Sequence, residues 1–476
     1  MNLIEVKNVT KIFSEGGKQR IVLDDINLTV YSGDFVVLRG ANGAGKSTLL
    51  KLILGLIKPD NGSVKLFELP PNSPHSKLKV GAIFQEVTPP NSLTLKELIN
   101  LVRSYYFNPI STEAILEDFG LTAKQDAFPS DLSGGQKQKL YFALALVGQP
   151  ELLILDEPTK GLDSEAQEEF WREIERCRRK EVTILMVTHV KSDQDKLESL
   201  ATDIITVGEG KLTYDKQQKA GIKRISNSGG GTISQVVNPL KILAHQTWAE
   251  LLQLMRPPFY LVGLIIFSIL SVVVIKMGNF ADSKFILVSL CAIIFLILGV
   301  DRLSKRVALE RVEGWLKLLR VTPLPPSLYI GAKVMMMMGV LILSLITILM
   351  TAFGSHIVEP GLEWLGVSAA LLVVMVPFIA MGIALGYAVN PKSVDSITGL
   401  LIPIGAFFAG LIPIKNSGLL EDIIVLSPFF HYRKVVEIIA GLDQSNLILH
   451  LLWLIFYGLL AGAIAVFAYQ RDRFAQ

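Results

Sequence analysis

The stretch Gly40-Ala41-Asn42-Gly43-Ala44-Gly45-Lys46-Ser47-Thr48 decides the fold of the first half of this chain. It follows Asp34 to Arg39 (DFVVLR), a β-branched run that reads as a buried strand, and it leads into the apolar helical stretch LLKLILGL. This is the G-x-x-x-x-G-K-[ST] pattern in a strand–loop–helix setting. Glycines let the backbone curl until its N–H groups converge on phosphate oxygens at a helix N-terminus. Lys46 is then able to reach the β- and γ-phosphates, and Ser47 offers a hydroxyl to Mg²⁺. A bare glycine turn before a helix would explain the glycines but not the Lys-Ser pair.

Working outward, a second apolar strand, Leu152 to Leu155, ends in Asp156-Glu157. A carboxylate at the tip of a parallel strand beside a phosphate loop suits Mg²⁺, and the next carboxylate is placed to polarise an attacking water. The same pair also suits the solvated start of a helix. Taken alone, the two residues do not separate these readings.

Further residues carry a resemblance. Leu132-Ser133-Gly134-Gly135-Gln136, lying between the phosphate loop and the Asp-Glu strand, resembles the signature motif of ABC ATPases. Phe13 sits where that family stacks an aromatic on adenine, and Gln85 where its Q-loop glutamine touches Mg²⁺ and the membrane domain. Gly161-Leu162-Asp163 is similar to the D-loop, and Thr188-His189 to the switch histidine after its strand. The resemblance covers about 215 residues. It implies ATP and Mg²⁺ as ligands, with Ser47, Gln85 and Asp156 at the metal and Glu157 and His189 in hydrolysis. It also implies a composite site, in which Ser133–Gln136 of a second copy close over ATP bound to the first. Two departures stand out: Lys160 replaces a small residue before the D-loop, and Lys139-Leu-Tyr-Phe follows the signature. Neither is expected to touch a residue that carries the chemistry.

The composition, 50% hydrophobic and 19% charged, is apolar for a wholly soluble protein. A net charge of +3 with no dense basic run gives no case for nucleic acid as a partner. Cys177 and Cys291 suggest packing rather than a disulfide framework. The N-terminal MNLIEVKNVTKIF reads as a strand, without the charge and apolar runs of a secretory leader. Residues 217–238, with glycines at 229–231, read as a flexible linker after an ATPase domain at 1–216. Residues 239–257 read as an amphipathic connecting helix at the cytosolic interface. Within 258–476, six stretches are apolar enough to span a bilayer: near 259–277, 284–302, 328–353, 364–389, 395–414 and 446–469. The fifth holds Pro403 and Pro413, which point to a kinked or partly re-entrant span.

Lys and Arg crowd the 302–333 connection and are missing from 354–363, which puts both termini in the cytosol. No acidic or histidine side chain is expected deep in a span, His431, Tyr432 and Arg433 read as interfacial anchors, and Met335–Met338 as lipid-facing or packing residues. Glu310 to Pro326 resembles the intracellular segment of type-2 ABC exporter membrane domains, which rests on the ATPase near the Q-loop. The expected fold is therefore an α/β P-loop ABC ATPase domain followed by an all-α six-span transmembrane domain, in an order similar to the G subfamily of half-transporters. The expected function is ATP-driven export of a hydrophobic or amphipathic cargo across the inner membrane by a homodimer. The alternative is a non-transporting machine that transmits ATP strokes across the bilayer.

Overall fold

The computed structural model describes residues 1–15, 18–85, 87–189, 193–217, 237–278, 283–408 and 424–475. They fall into two compact units: Met1–Ala249 with Glu313–Tyr329, and Glu250–Val312 with Ile330–Ala475.

In the first unit, β1 (Asn2–Glu15) and β2 (Lys18–Tyr31) pair antiparallel. β2 buries Leu23, Ile26, Leu28 and Val30 and exposes much of what lies between, so one face meets a core and the other meets water. β3 (Phe35–Arg39) starts one residue later than DFVVLR suggests, because the Asp34 carboxylate turns back to accept from Tyr31 N at 2.8 Å. Phe35 to Leu38 are buried on both faces, as an all-apolar run in a parallel sheet requires. β4 (Asn61–Leu66) closes the small sheet in the order β2-β1-β4.

The larger sheet adds β5 (Val80–Ile83), β6 (Leu152–Asp156), β7 (Thr183–Val187), β8 (Asp203–Gly208) and β9 (Lys211–Gln217), in the order β5-β6-β7-β3-β8-β9. All neighbours are parallel except the β8–β9 hairpin. β3 lies between β7 and β8, with β6 next to β7, so the loops after β3, β6 and β7 leave from one carboxyl edge. The helix Lys46–Ile53 starts at that edge and buries Leu49, Leu50, Leu52 and Ile53.

The short helix Trp315–Val321 belongs to this first unit, although sequence places it between apolar helices of the second. It packs on β5, buries Trp315, Leu316, Leu318 and Leu319, and gives Val321 to the same core as Leu52 and Ile53. Glu313 O accepts from Thr88 N at 2.8 Å.

The second unit is helical. Among its described residues, four helical stretches are long and apolar enough to cross a membrane: Ser283–Val312, Pro326–Gly354, Glu363–Ala388 and Leu447–Ala468. Val262–Gly278 is a shorter apolar helix. Pro391–Phe408 is helical with Pro403 inside it, whereas Pro413, the glycines at 229–231 and most of the 415–445 segment before Pro428 lie outside the described residues. Small residues let these helices touch. A Cβ on Gly382 would stand 2.6 Å from Gly299 O, so only glycine admits that approach. Arg311 Nη1 donates to the carbonyls of Gly386, Tyr387 and Val389, capping the end of the Val376–Ala388 helix. Cys177 and Cys291 are buried free thiols.

Several polar side chains sit where the sequence leads one to expect none. Asp301 is buried within Ser283–Val312, accepting from Lys305 at 2.8 Å and from Thr398. His431 and Tyr432 are buried rather than interfacial; His431 Nδ1 lies 2.8 Å from Nδ1 of His450, itself inside Leu447–Ala468. Trp453 stacks on His431, and Arg433 pairs with Glu437 at 3.0 Å. The helix Pro428–Ile439 folds against its neighbours instead of lying at a surface, which hides these groups.

The buried helix ends also hold ions. Lys333, 1% exposed, bonds Glu250 and Glu310 at 2.8 Å each, and Arg306 Nε donates to Glu310 at 2.9 Å and Nη2 to Gln253. Removing one partner from such a cluster strands a buried charge, whereas removing a matched pair does not. Lys333→Ala should therefore cost about 3–5 kcal/mol. The double change Lys333→Met with Glu250→Gln, which leaves Glu310 with Arg306, should regain more than half of the loss, as read by thermal unfolding in detergent.

Candidate functional site

The loop after β3 is shaped by its glycines. Gly40 has φ 142° and a Cβ there would meet Val207 O at 2.2 Å, so the turn is closed to other residues. Ala44 N bonds Ala41 O at 3.2 Å, and the loop spans Gly40, Ala41, Asn42, Gly43, Ala44 and Gly45 before the helix begins. Lys46 is buried and folds back on this loop, donating to Gly40 O at 2.7 Å and Ala41 O at 2.9 Å. Burial pulls its pKa below the ordinary lysine value, opposed by the negative charges of Glu157 and Asp156. Ser47 and Thr48 occupy the first helical turn, the place where backbone N–H groups have no intrahelical partner.

β6 delivers Asp156 beside this loop. Burial raises its pKa first, the Glu157 charge next, while Lys51 and the Ser47 hydroxyl act against them. Its Oδ1 is buried without a hydrogen-bond partner. An orphaned carboxylate oxygen next to a serine hydroxyl is the donor set a hard divalent cation takes, so Asp156 and Ser47 fit Mg²⁺. Gln85 is engaged elsewhere, on Glu157 and Lys160.

Glu157 has a left-handed backbone, φ 50°, and its N–H donates to Val187 O at 2.9 Å. That conformation is costly for a residue with a side chain and marks a position held by its surroundings. Its Oε1 accepts from His189 Nδ1 at 2.6 Å; a carboxylate only accepts here, so the imidazole proton is on Nδ1. With the Gln85 amide nitrogen facing the carboxylate, Nε2 donates to Glu157 Oε2 at 3.2 Å and the amide oxygen accepts from Lys160 at 2.6 Å. Lys160 itself stands 3.5 Å from Glu157 Oε2. The expectation that Lys160 touches no chemistry-bearing residue is therefore corrected: the Glu157–Gly161 turn brings Lys160 N to 3.3 Å from Glu157 O and folds the side chain over the carboxylate.

Asp193 is a second residue outside the motifs. Fully buried, it accepts from Thr159 (2.6 Å), Gln167 (2.6 Å), Trp171 (3.2 Å) and Thr188 (3.4 Å). It thereby ties the turn after Glu157 to the residue before His189. The only trace of it in sequence is an acid a few positions beyond the histidine.

Phe13 is half-buried on β1 with the Lys11 ammonium 5.4 Å from its ring centre. Ser133 caps the helix Gly134–Leu146: Gln136 N donates to its hydroxyl at 3.3 Å, and Ser133 N donates to Gln136 Oε1 at 3.1 Å. Gly134 leaves open space where a Cβ would stand, so the helix start is approachable. Among the described bonds, those of Glu157 run to His189, Lys160, Gln85 and Val187, and none runs to the 133–136 turn.

A carboxylate whose folded pKa is raised destabilises the fold above that pKa, and the penalty fades as pH falls through it toward the ordinary 3.8. Asp156→Asn should therefore raise the unfolding midpoint of the nucleotide-free protein at pH 7, by about 1 kcal/mol of stability. The gain should vanish in acid, and Mg²⁺-dependent stabilisation by ATP should be lost; thermal shift at both pH values, with and without Mg-ATP, reads all three.

Residues 23–160 match the family model described as ABC transporter. The macrolide export ATP-binding/permease protein MacB of Aggregatibacter actinomycetemcomitans is 33% identical over 309 residues, covering 60% of this chain and 46% of that protein. The chain thus spans about half the length of the MacB relatives it matches. The cell division ATP-binding protein FtsE of Mycobacterium tuberculosis is 31% identical over 228 residues, 45% of this chain and 96% of that protein. The Nod factor export ATP-binding protein I of Rhizobium meliloti is 35% identical over 249 residues, 50% of this chain and 73% of that protein. Among solved structures, the dimeric post-hydrolysis state of the ATP-binding cassette MJ0796 bound to ADP and Pi is 27% identical, with a TM-score of 0.41 over 45% of this chain and 98% of that one. With its phosphate loop, its Asp-Glu strand end and these relatives, the chain belongs to the ABC transporter family and carries that family's ATPase domain joined to apolar helices of membrane-spanning length.

Proposed function

We propose that this chain is one half of an ATP-driven exporter, working as a homodimer in the inner membrane with both termini in the cytosol. The observation that carries this reading is the helix Trp315–Val321. It lies in sequence between two apolar helices, yet it is built into the ATPase unit, and Glu313, just before it, accepts from Thr88 N, three residues beyond Gln85. Whatever moves Gln85 and its loop therefore pulls on chain that continues into membrane helices at both ends. That arrangement supports the type-2 exporter reading of 310–326, with six spans in all, the first and fifth supplied by Pro258–Gly278 and the stretch beginning at Pro391.

In this reading ATP lies on the phosphate loop, with Phe13 at its base and Lys46 swung from its own loop carbonyls to the phosphates. Asp156, Ser47 and Gln85 would hold Mg²⁺, which would neutralise phosphate charge. Glu157 accepts a proton from water as the water oxygen attacks the γ-phosphorus; the bond to the ADP oxygen breaks, and ADP and phosphate leave. His189 holds Glu157 in place and reports on the γ-phosphate. Ser133, Gly134, Gly135 and Gln136 of the second copy complete the site from the open side, as the approachable N-terminus of their helix supports. A cargo that is hydrophobic or amphipathic suits the second unit, where an apolar cavity of about 260 Å³ is lined by Phe378, Met381, Tyr457 and Leu460. The relatives named for macrolide export and Nod factor export point the same way. Among the described residues beyond Met255 the connections between helices are short, which favours export over a machine that merely transmits force to a large external domain.

In inside-out vesicles, Glu157→Gln should lower ATP turnover by roughly 10²-fold or more while ATP binding persists. If turnover survives, the general-base reading falls. Thr88→Pro deletes the N–H that bonds Glu313. It should leave ATPase activity within about twofold while uptake of a fluorescent amphipathic dye falls about tenfold or more. Equal losses of both would argue against coupling through this contact.

A further inference from the structure

Both carboxylate oxygens of Glu157 are occupied. Oε1 accepts from His189 at 2.6 Å, and Oε2 faces the Gln85 amide at 3.2 Å and the Lys160 ammonium at 3.5 Å. A carboxylate offers about four lone-pair sites, and three donors fill all but one of them here, fixing how it can turn. Release of one of them frees the carboxylate to turn toward a water and act as a base. Glu157 is only 10% exposed, whereas Lys160 is 51% exposed. An ion pair so open to solvent is the weakest of the three ties and the first to yield.

Lys160 also reaches past Glu157. It is the residue that closes the triangle, bonding the Gln85 amide oxygen at 2.6 Å while Gln85 bonds the same carboxylate oxygen. Gly161, with φ 77°, completes the tight turn that holds the ammonium there. We propose that Lys160 is a positioning residue that latches Glu157 to Gln85 and restrains the base until the latch opens. The proposal rests on the reading of Glu157 as general base. Its consequence is a gate: Gln85 precedes the Thr88–Glu313 bond by three residues, so displacement of the 313–329 segment strains the latch directly. Turnover without cargo is then held down by a surface lysine that the hydrolytic chemistry itself does not use.

The test uses the full chain in proteoliposomes, measuring steady-state ATPase without cargo and with a fluorescent amphipathic dye as the probe. Lys160→Met should raise cargo-free kcat about threefold at unchanged KM for ATP and shrink the stimulation given by the dye. Lys160→Arg, which restores the cation, should behave as the parent protein. A Lys160→Met kcat equal to or below the parent's overturns the latch. Glu157→Gln in both backgrounds separates the two ideas: if it abolishes turnover while Lys160→Met changes nothing, the latch alone fails, and if it leaves turnover intact, the base assignment fails.

Discussion

The hydrogen bond from Glu157 N to Val187 O joins the end of β6 to the end of β7, and the arrangement of the site follows from it. It turns the chain into the left-handed conformation at Glu157, so that Asp156 stays with the phosphate loop while Glu157 points to the histidine one strand over. Parallel pairing makes this possible. β3, β6 and β7 all run toward the same edge, and the groups they release there are brought within bonding range without any long loop. Thr188 N, bonded to Leu38 O, anchors the third corner.

Around that edge, charge is managed by neutral donors as much as by ions. Asp193 carries a buried carboxylate with two threonines, a glutamine and a tryptophan around it, a fully hydrogen-bonded arrangement that makes burial tolerable. In the helical unit the opposite solution appears, with Lys333 and Arg306 set against Glu250 and Glu310. Both devices fix where loops and helix ends lie, but the second tolerates no single loss.

The residues legible in sequence are those whose function depends on local spacing. Gly40 to Thr48, the strand ending at Asp156, and Ser133 with Gln136 each work within a few positions of one another, so their pattern carries their geometry. Lys160 and Asp193 do their work across elements, Lys160 onto Gln85 and Asp193 onto four partners from 159 to 188, and no periodicity announces such meetings. The apolar helices were readable from hydropathy for the same local reason, while the burial of Asp301, His431 and Glu250 depends on which helices close around them. The helix Trp315–Val321 lies between: its pattern is visible, but its membership in the ATPase unit comes only from packing on β5.

That membership sets an order of events during synthesis. The last strand of the first unit ends at Gln217, well before Trp315 leaves the ribosome, at typical elongation rates by roughly 10 s. The nascent domain can therefore present a finished surface at β5 before the first apolar helices have been threaded. Synthesis of 313–329 then delivers that segment to a waiting dock. A 313–329 segment kept from that dock would leave Trp315, Leu318 and Leu319 with nothing to cover them.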